Sequence, residues 1–232
     1  MWLTKQETLL FALAIGLSSF VMAFRSYGTR WFDIDKAILD LLIYLVLFSV
    51  IYFIFIISQK FVAIKMGYIP EFKLWSYGPL LSLLVTFMSF GLIPYLYFGA
   101  IELKTSDKTR MGFEYKHVVM RDLNWVGLTG PIAVSLVAVL ILEPLYFFTR
   151  LPEIQTTLYV TALILVFTMI PTPYSNGANI LLGRKAWWFI MLFYAIIALV
   201  LVNVIGFLSF LLAFIIGLLL TIPAYYYLFI KD

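Results

Sequence analysis

From Leu41 to Ile57 the chain carries no charge, and its only polar groups are those of Tyr44, Ser49 and Tyr52. A helix that crosses the hydrocarbon core of a bilayer needs about 20 mainly apolar residues, since lipid offers a backbone amide no partner of its own. The run extends outward to Lys36 and Met66, and Gly67 behind Lys65 ends it as a helix C-terminal signal. Six other apolar runs follow the same rule, at about 9–24, 79–98, 124–148, 156–170, 187–204 and 207–230. The expected fold is an all-α polytopic membrane protein of about six or seven transmembrane helices, one integral membrane domain over residues 1–232. Glu7, between Thr4 and Thr8, suits the N-terminus of the first helix.

Composition narrows the chemistry. The 232 residues are 64% hydrophobic and 12% charged, about half the charge of a soluble domain. Cysteine is absent, which excludes disulfides, thiol catalysis and cysteine zinc sites. His117 is the single histidine, so no site can use two imidazoles. A net charge of +4 is too small to point to nucleic acid. In a membrane protein it reads as topology and contact with anionic lipid.

The breaks between the apolar runs carry the remaining information. Pro70-Glu71-Phe72-Lys73-Leu74-Trp75 alternates as a strand does. Ile101–Lys104 and Phe113–Val118 alternate around a turn-rich segment, which predicts a hairpin and a small sheet at the membrane surface. The 79–98 run contains Gly91 and Pro94, so it either spans or re-enters. Gly127 and Gly130 are expected at close helix contacts. Lys60 reads as a helix-end lysine snorkelling to water, Glu143 as a solvated interface residue, Asn203 as a helix cap and His117 as a surface residue. If all seven runs span, the basic residues place the loop after Lys104 in the cytoplasm.

Taken in order, several pieces resemble the site-2 protease family of intramembrane zinc metalloproteases, above all its archaeal branch. They are the polar helix end Ser58–Tyr68, the strand after it, the Gly130-Pro131 pair, and the helix break Pro171-Thr-Pro173-Tyr-Ser-Asn176-Gly177. That family carries H-E-x-x-H-x-x-x-A-x-x-x-G on one helix and a Pro-rich turn ending in L-D-G on a later one. Laid on this chain, the Ala and Gly of the first motif fall on Ala63 and Gly67. The two ligand histidines fall on Phe55 and Gln59, and the general-base Glu falls on Ile56. The ligand Asp falls on Asn176, beside the matching Gly177. Ser175 stands where the family has Leu, and Val134 where it often has Asn.

The family's reaction needs two imidazoles one helical turn apart, a carboxylate from a second helix, and a Glu to polarise the metal-bound water. Phe55, Ile56, Gln59 and Asn176 leave all four roles empty. The resemblance therefore implies a pseudoprotease with no catalytic residue, no metal ligand and no cofactor. Its former site would be closed and dry, with Gln59 and Asn176 bonded across two helices, an interaction worth ~0.6–2 kcal/mol. The implied function is a binding or accessory subunit for another integral membrane protein or complex, in contact with membrane lipids and not with nucleic acid. A peptide could add as a strand along Glu71, Phe72, Lys73, Leu74 and Trp75, or along Glu102, Leu103 and Lys104. The implied setting is a multi-pass protein of a prokaryotic plasma membrane. Two rivals stand beside this reading. One is an active metalloprotease with an atypical site. The other is a small transporter or channel component, which the breaks at Pro94 and Pro171 favour and the scarcity of intramembrane charge opposes.

Overall fold

The structure is a computed structural model that describes residues 4–27, 34–97, 99–105 and 118–229. The chain forms two compact units, Met1–Val118 and Val119–Asp232. Among the described residues, five helices are long and apolar enough to cross a membrane: Lys5–Phe24, Ala37–Lys65, Met120–Thr149, Pro152–Met169 and Lys185–Val204. The apolar stretches Gly78–Met88 and Ser209–Pro223 are shorter.

The first unit is built on α1 (Lys5–Tyr27) and α2 (Ile34–Lys65). They lie side by side, with the Ser18 and Tyr52 hydroxyls 3.1 Å apart in the buried seam. Gly67 ends α2 as its position predicted. It takes φ +83°, and the amides of Gly67 and Tyr68 donate to the carbonyls of Ile64 and Ala63 at 2.9 and 3.0 Å.

Beyond that turn, β1 (Ile69–Lys73) pairs antiparallel with β2 (Ala100–Lys104), Ile69 facing Lys104 and Lys73 facing Ala100. Glu71 sits directly opposite Glu102, and diagonal ion pairs to Lys104 (2.6 Å) and Lys73 offset that repulsion. The sequence reading had not foreseen this pairing. The partner of 101–104 is the upstream strand, and the 113–117 part of the expected mate lies outside the described residues, with His117. Alternation reports which face of a strand is buried but not which strand it joins.

Between the strands stands α3 (Gly78–Met88). At 11 residues it is about 16 Å long, too short to span. The chain then turns at Phe90 and Gly91, both at positive φ, and comes back along the same helix. Ser82 Oγ donates to the carbonyl of Tyr95, and the Tyr97 ring lies over Gly78, where a Cβ would fall 2.3 Å from it. Residues 79–97 therefore fold back as a hairpin between the two strands.

The second unit contains α4 (Met120–Val137), a π-helical turn (Ala138–Leu142) and α5 (Glu143–Thr149), which together form one rod. Pro144 stands one residue past the π turn; a proline removes an amide and crowds the preceding turn, and the wider turn relieves both. α6 (Pro152–Met169), the short α7 (Asn176–Gly183), α8 (Lys185–Val204) and α9 (Ser209–Phe229) complete the unit. Its core gathers Leu128, Leu165, Met169, Ile180, Tyr194 and Phe210.

Candidate functional site

α2 buries one stripe of side chains at helical spacing: Tyr52, Phe55, Ile56, Gln59, Lys60 and Ala63. Val50, Phe53, Phe61 and Ile64 face outward. Every motif position assigned to α2 therefore lies on its inner face, and Gln59 is completely buried. Ala63 and Gly67 also have a backbone reason to be there, since the Ala63 carbonyl and the Gly67 conformation make the C-terminal turn.

Lys60 is the first correction. It does not snorkel; it is 2% exposed, and its Nζ donates to Glu7 Oε1 at 2.6 Å. The same oxygen accepts the Phe72 amide at 2.7 Å. Oε2 accepts the Thr4 amide at 2.8 Å and the Thr4 hydroxyl at 3.1 Å, while Thr4 Oγ1 accepts the Glu7 amide. Thr4 and Glu7 thus form a reciprocal capping box at the start of α1, and that cap also holds α2 and β1.

The Glu7 bond bears on the nominated peptide edges. The Phe72 amide points at Glu7 and so away from β2, which sets the outward amides of β1 at alternate residues. The other outward position within the strand is Pro70, which has no amide. On β2, Ala100, Ile101 and Leu103 are buried. Leu74 and Trp75 lie beyond the strand, and the Trp75 amide donates to the Tyr97 hydroxyl at 3.0 Å. Strand addition along Glu71–Trp75 finds no open donor at Pro70 or Phe72.

In the second unit Asn176 and Gly177 open α7, and both are buried. Ser175 caps this helix: its hydroxyl accepts the amides of Ala178 (3.1 Å) and Thr172 (3.0 Å) and donates to the Ile170 carbonyl (2.9 Å). Serine in place of leucine here has a local purpose as an N-cap. Pro171 and Pro173 form the exposed turn between α6 and α7. A Cβ on Gly177 would lie 2.2 Å from the Met169 carbonyl oxygen, so the turn folds back on the end of α6 too closely for any side chain. Gly127, as expected, meets α7, its face lying against Ile180 and Asn179; Gly130 and Pro131 are buried in α4.

Two polar residues of the second unit depart from what the sequence suggested. Glu143 is not solvated but buried, and its Oε1 accepts the Phe210 amide at 2.7 Å and the Ser209 hydroxyl at 3.0 Å. It caps the N-terminus of α9 from another helix, where a carboxylate also meets the positive end of the helix dipole. Asn124, on α4 beside Gly183, is 1% exposed, and neither polar atom of its carboxamide has a hydrogen-bond partner among the described residues. Asn203 caps nothing: its amide donates to the Leu199 carbonyl one turn back, on an exposed face.

The donor set does not fit zinc. Phenyl and sec-butyl groups offer no lone pair, and carboxamides are weak ligands beside imidazole, thiolate or carboxylate. Among the described residues no three of His, Cys, Asp and Glu come together as a metal cluster. The second unit also holds a cavity of about 450 Å³ between α4, α8 and α9, lined by Leu136, Ile190, Tyr194 and Phe214 among others. Its walls are almost wholly apolar and carry no acid–base pair. Comparison of the chain with protein-family models, curated proteins and solved structures finds no match.

Proposed function

We propose that this chain is a non-cleaving membrane protein of the site-2 protease type, which binds another integral membrane protein as an accessory subunit. One observation carries the reading: Phe55, Ile56 and Gln59, at the spacing of a metal-binding helix motif, all lie on the buried face of α2 and none bears a charge. Burial of the stripe is what a hydrolase helix would require, and its chemistry is what a hydrolase could not use. The buried charges do not favour transport. Glu7, Lys60 and Glu143 are each engaged by fixed hydrogen bonds that staple elements together, whereas a coupling site needs a group free to exchange its proton or ion.

Because Pro70 has no amide and the Phe72 amide is held by Glu7, β1 has little to offer a peptide strand, and on this reading the partner meets the membrane-facing helices. Purification in native lipid, followed by mass spectrometry of the intact assembly, tests the proposal. A second membrane protein held in fixed stoichiometry is the expected result. A lone chain, or chelator-sensitive cleavage of a membrane substrate, would overturn it.

A further inference from the structure

We propose that the hairpin of α3 and its returning segment is a deep re-entrant wedge, whose apolar tip contacts the acyl chains of the leaflet opposite the sheet. Its two ends are fixed together, because Lys73 and Ala100 are paired in the sheet. Its depth follows from α1. At the sheet end, Glu7 binds the Phe72 amide, and the Phe11 and Phe72 rings meet at 6.2 Å. At the tip, Phe87 packs edge-on against Phe24 at 5.0 Å and against Phe20 at 6.3 Å. Glu7 and Phe24 lie at opposite ends of the α1 span, about 25 Å apart along its axis at ~1.5 Å per residue. The hairpin therefore reaches well past the middle of a bilayer that is about 30 Å thick.

The backbone chemistry suits that depth. α3 presents Gly78, Ser82 and Thr86 to the returning chain, a face small enough for non-helical backbone to be covered by protein. Ser82 satisfies the Tyr95 carbonyl, Ser89 Oγ accepts the Ile93 amide, and the Gly91 amide returns to the Thr86 carbonyl at 2.9 Å. Pro94 has no amide to satisfy. The surface left outward is entirely apolar: Leu84, Met88 (75% exposed), Phe90, Leu92 (79%) and Ile93. It adjoins the far end of a candidate span, where the surrounding medium is hydrocarbon.

The natural absence of cysteine makes the test direct. Single-cysteine variants K73C, K104C, M88C and L92C of the full chain are placed in vesicles; residues 88, 92 and 104 are exposed and residue 73 is half-exposed. A membrane-impermeant maleimide should label K73C and K104C from one and the same side and leave M88C and L92C unlabelled from both. An environment-sensitive fluorophore at Met88→Cys or Leu92→Cys should be quenched more strongly by spin-labelled acyl chains confined to the leaflet opposite that side. Labelling of K73C and K104C from opposite sides would overturn the proposal. So would aqueous labelling of the tip, stronger quenching from the sheet-side leaflet, or tip-to-tip cross-linking of two copies in place of lipid contact.

Discussion

Glu7 Oε1 lies 2.6 Å from Lys60 Nζ, and both side chains are almost wholly withdrawn from solvent. A buried ion pair adds little over an apolar pair of the same shape, yet removing one partner leaves a charge with no compensation. Glu7→Gln or Lys60→Met alone should cost about 3–5 kcal/mol. The double variant should recover most of that loss. Thermal unfolding in detergent, run as a double-mutant cycle, measures both.

Glu143 carries a different kind of load. Replacing it with alanine strands the Phe210 amide at the start of α9, for about 1–3 kcal/mol. Glutamine keeps one acceptor oxygen and should cost less. Ser209→Ala, which removes a hydroxyl that also donates to the Gly206 carbonyl, should cost less than Glu143→Ala. The order of the three unfolding midpoints checks the assignment.

Two glycines should respond in opposite ways. Gly177→Ala places a methyl 2.2 Å from a backbone oxygen that cannot move without shifting the end of α6, so a loss of about 1–3 kcal/mol is expected from overpacking. Gly16, within α1, has nothing within 4 Å of an added Cβ. Gly16→Ala should be neutral or stabilising by up to about 1 kcal/mol through helix propensity. Equal effects at the two positions would contradict the packing described for the α6–α7 turn.

The elements that could be read from the sequence are those written in adjacent residues. Lys65-Met-Gly67 ends a helix locally, Thr4-x-x-Glu7 begins one, and Pro171 to Gly177 breaks one, and all three stand where they were expected. What escaped is written across distance. Lys60 and Glu143 look interfacial until their partners are known, and those partners lie 53 and 66 residues away. A charge near the end of an apolar run is usually solvated, and only tertiary structure overrides that expectation. The mate of Ile101–Lys104 was missed for the same reason. So was Asn124, whose only signal is an asparagine one turn before Gly127.

If the motif positions descend from a metal site, restoring the ligands should restore the metal. The variant Phe55→His, Ile56→Glu, Gln59→His, Asn176→Asp supplies two imidazoles, one carboxylate and a general base, the set a catalytic zinc takes with a water. Elemental analysis after purification should then find about one zinc per chain in the variant. Omitting the Asn176→Asp change should lower that occupancy, because the third ligand is lost.

The central claim, a surviving but emptied hydrolase site, is tested most directly by whether residues 59 and 176 can be joined. Cysteines at these two positions, in a chain with no others, can be joined by a short bifunctional thiol reagent, with the Ile69/Lys104 pair of the sheet as a positive control. The account predicts an efficient intramolecular cross-link between residues 59 and 176. No cross-link there, while the sheet control closes, would contradict it.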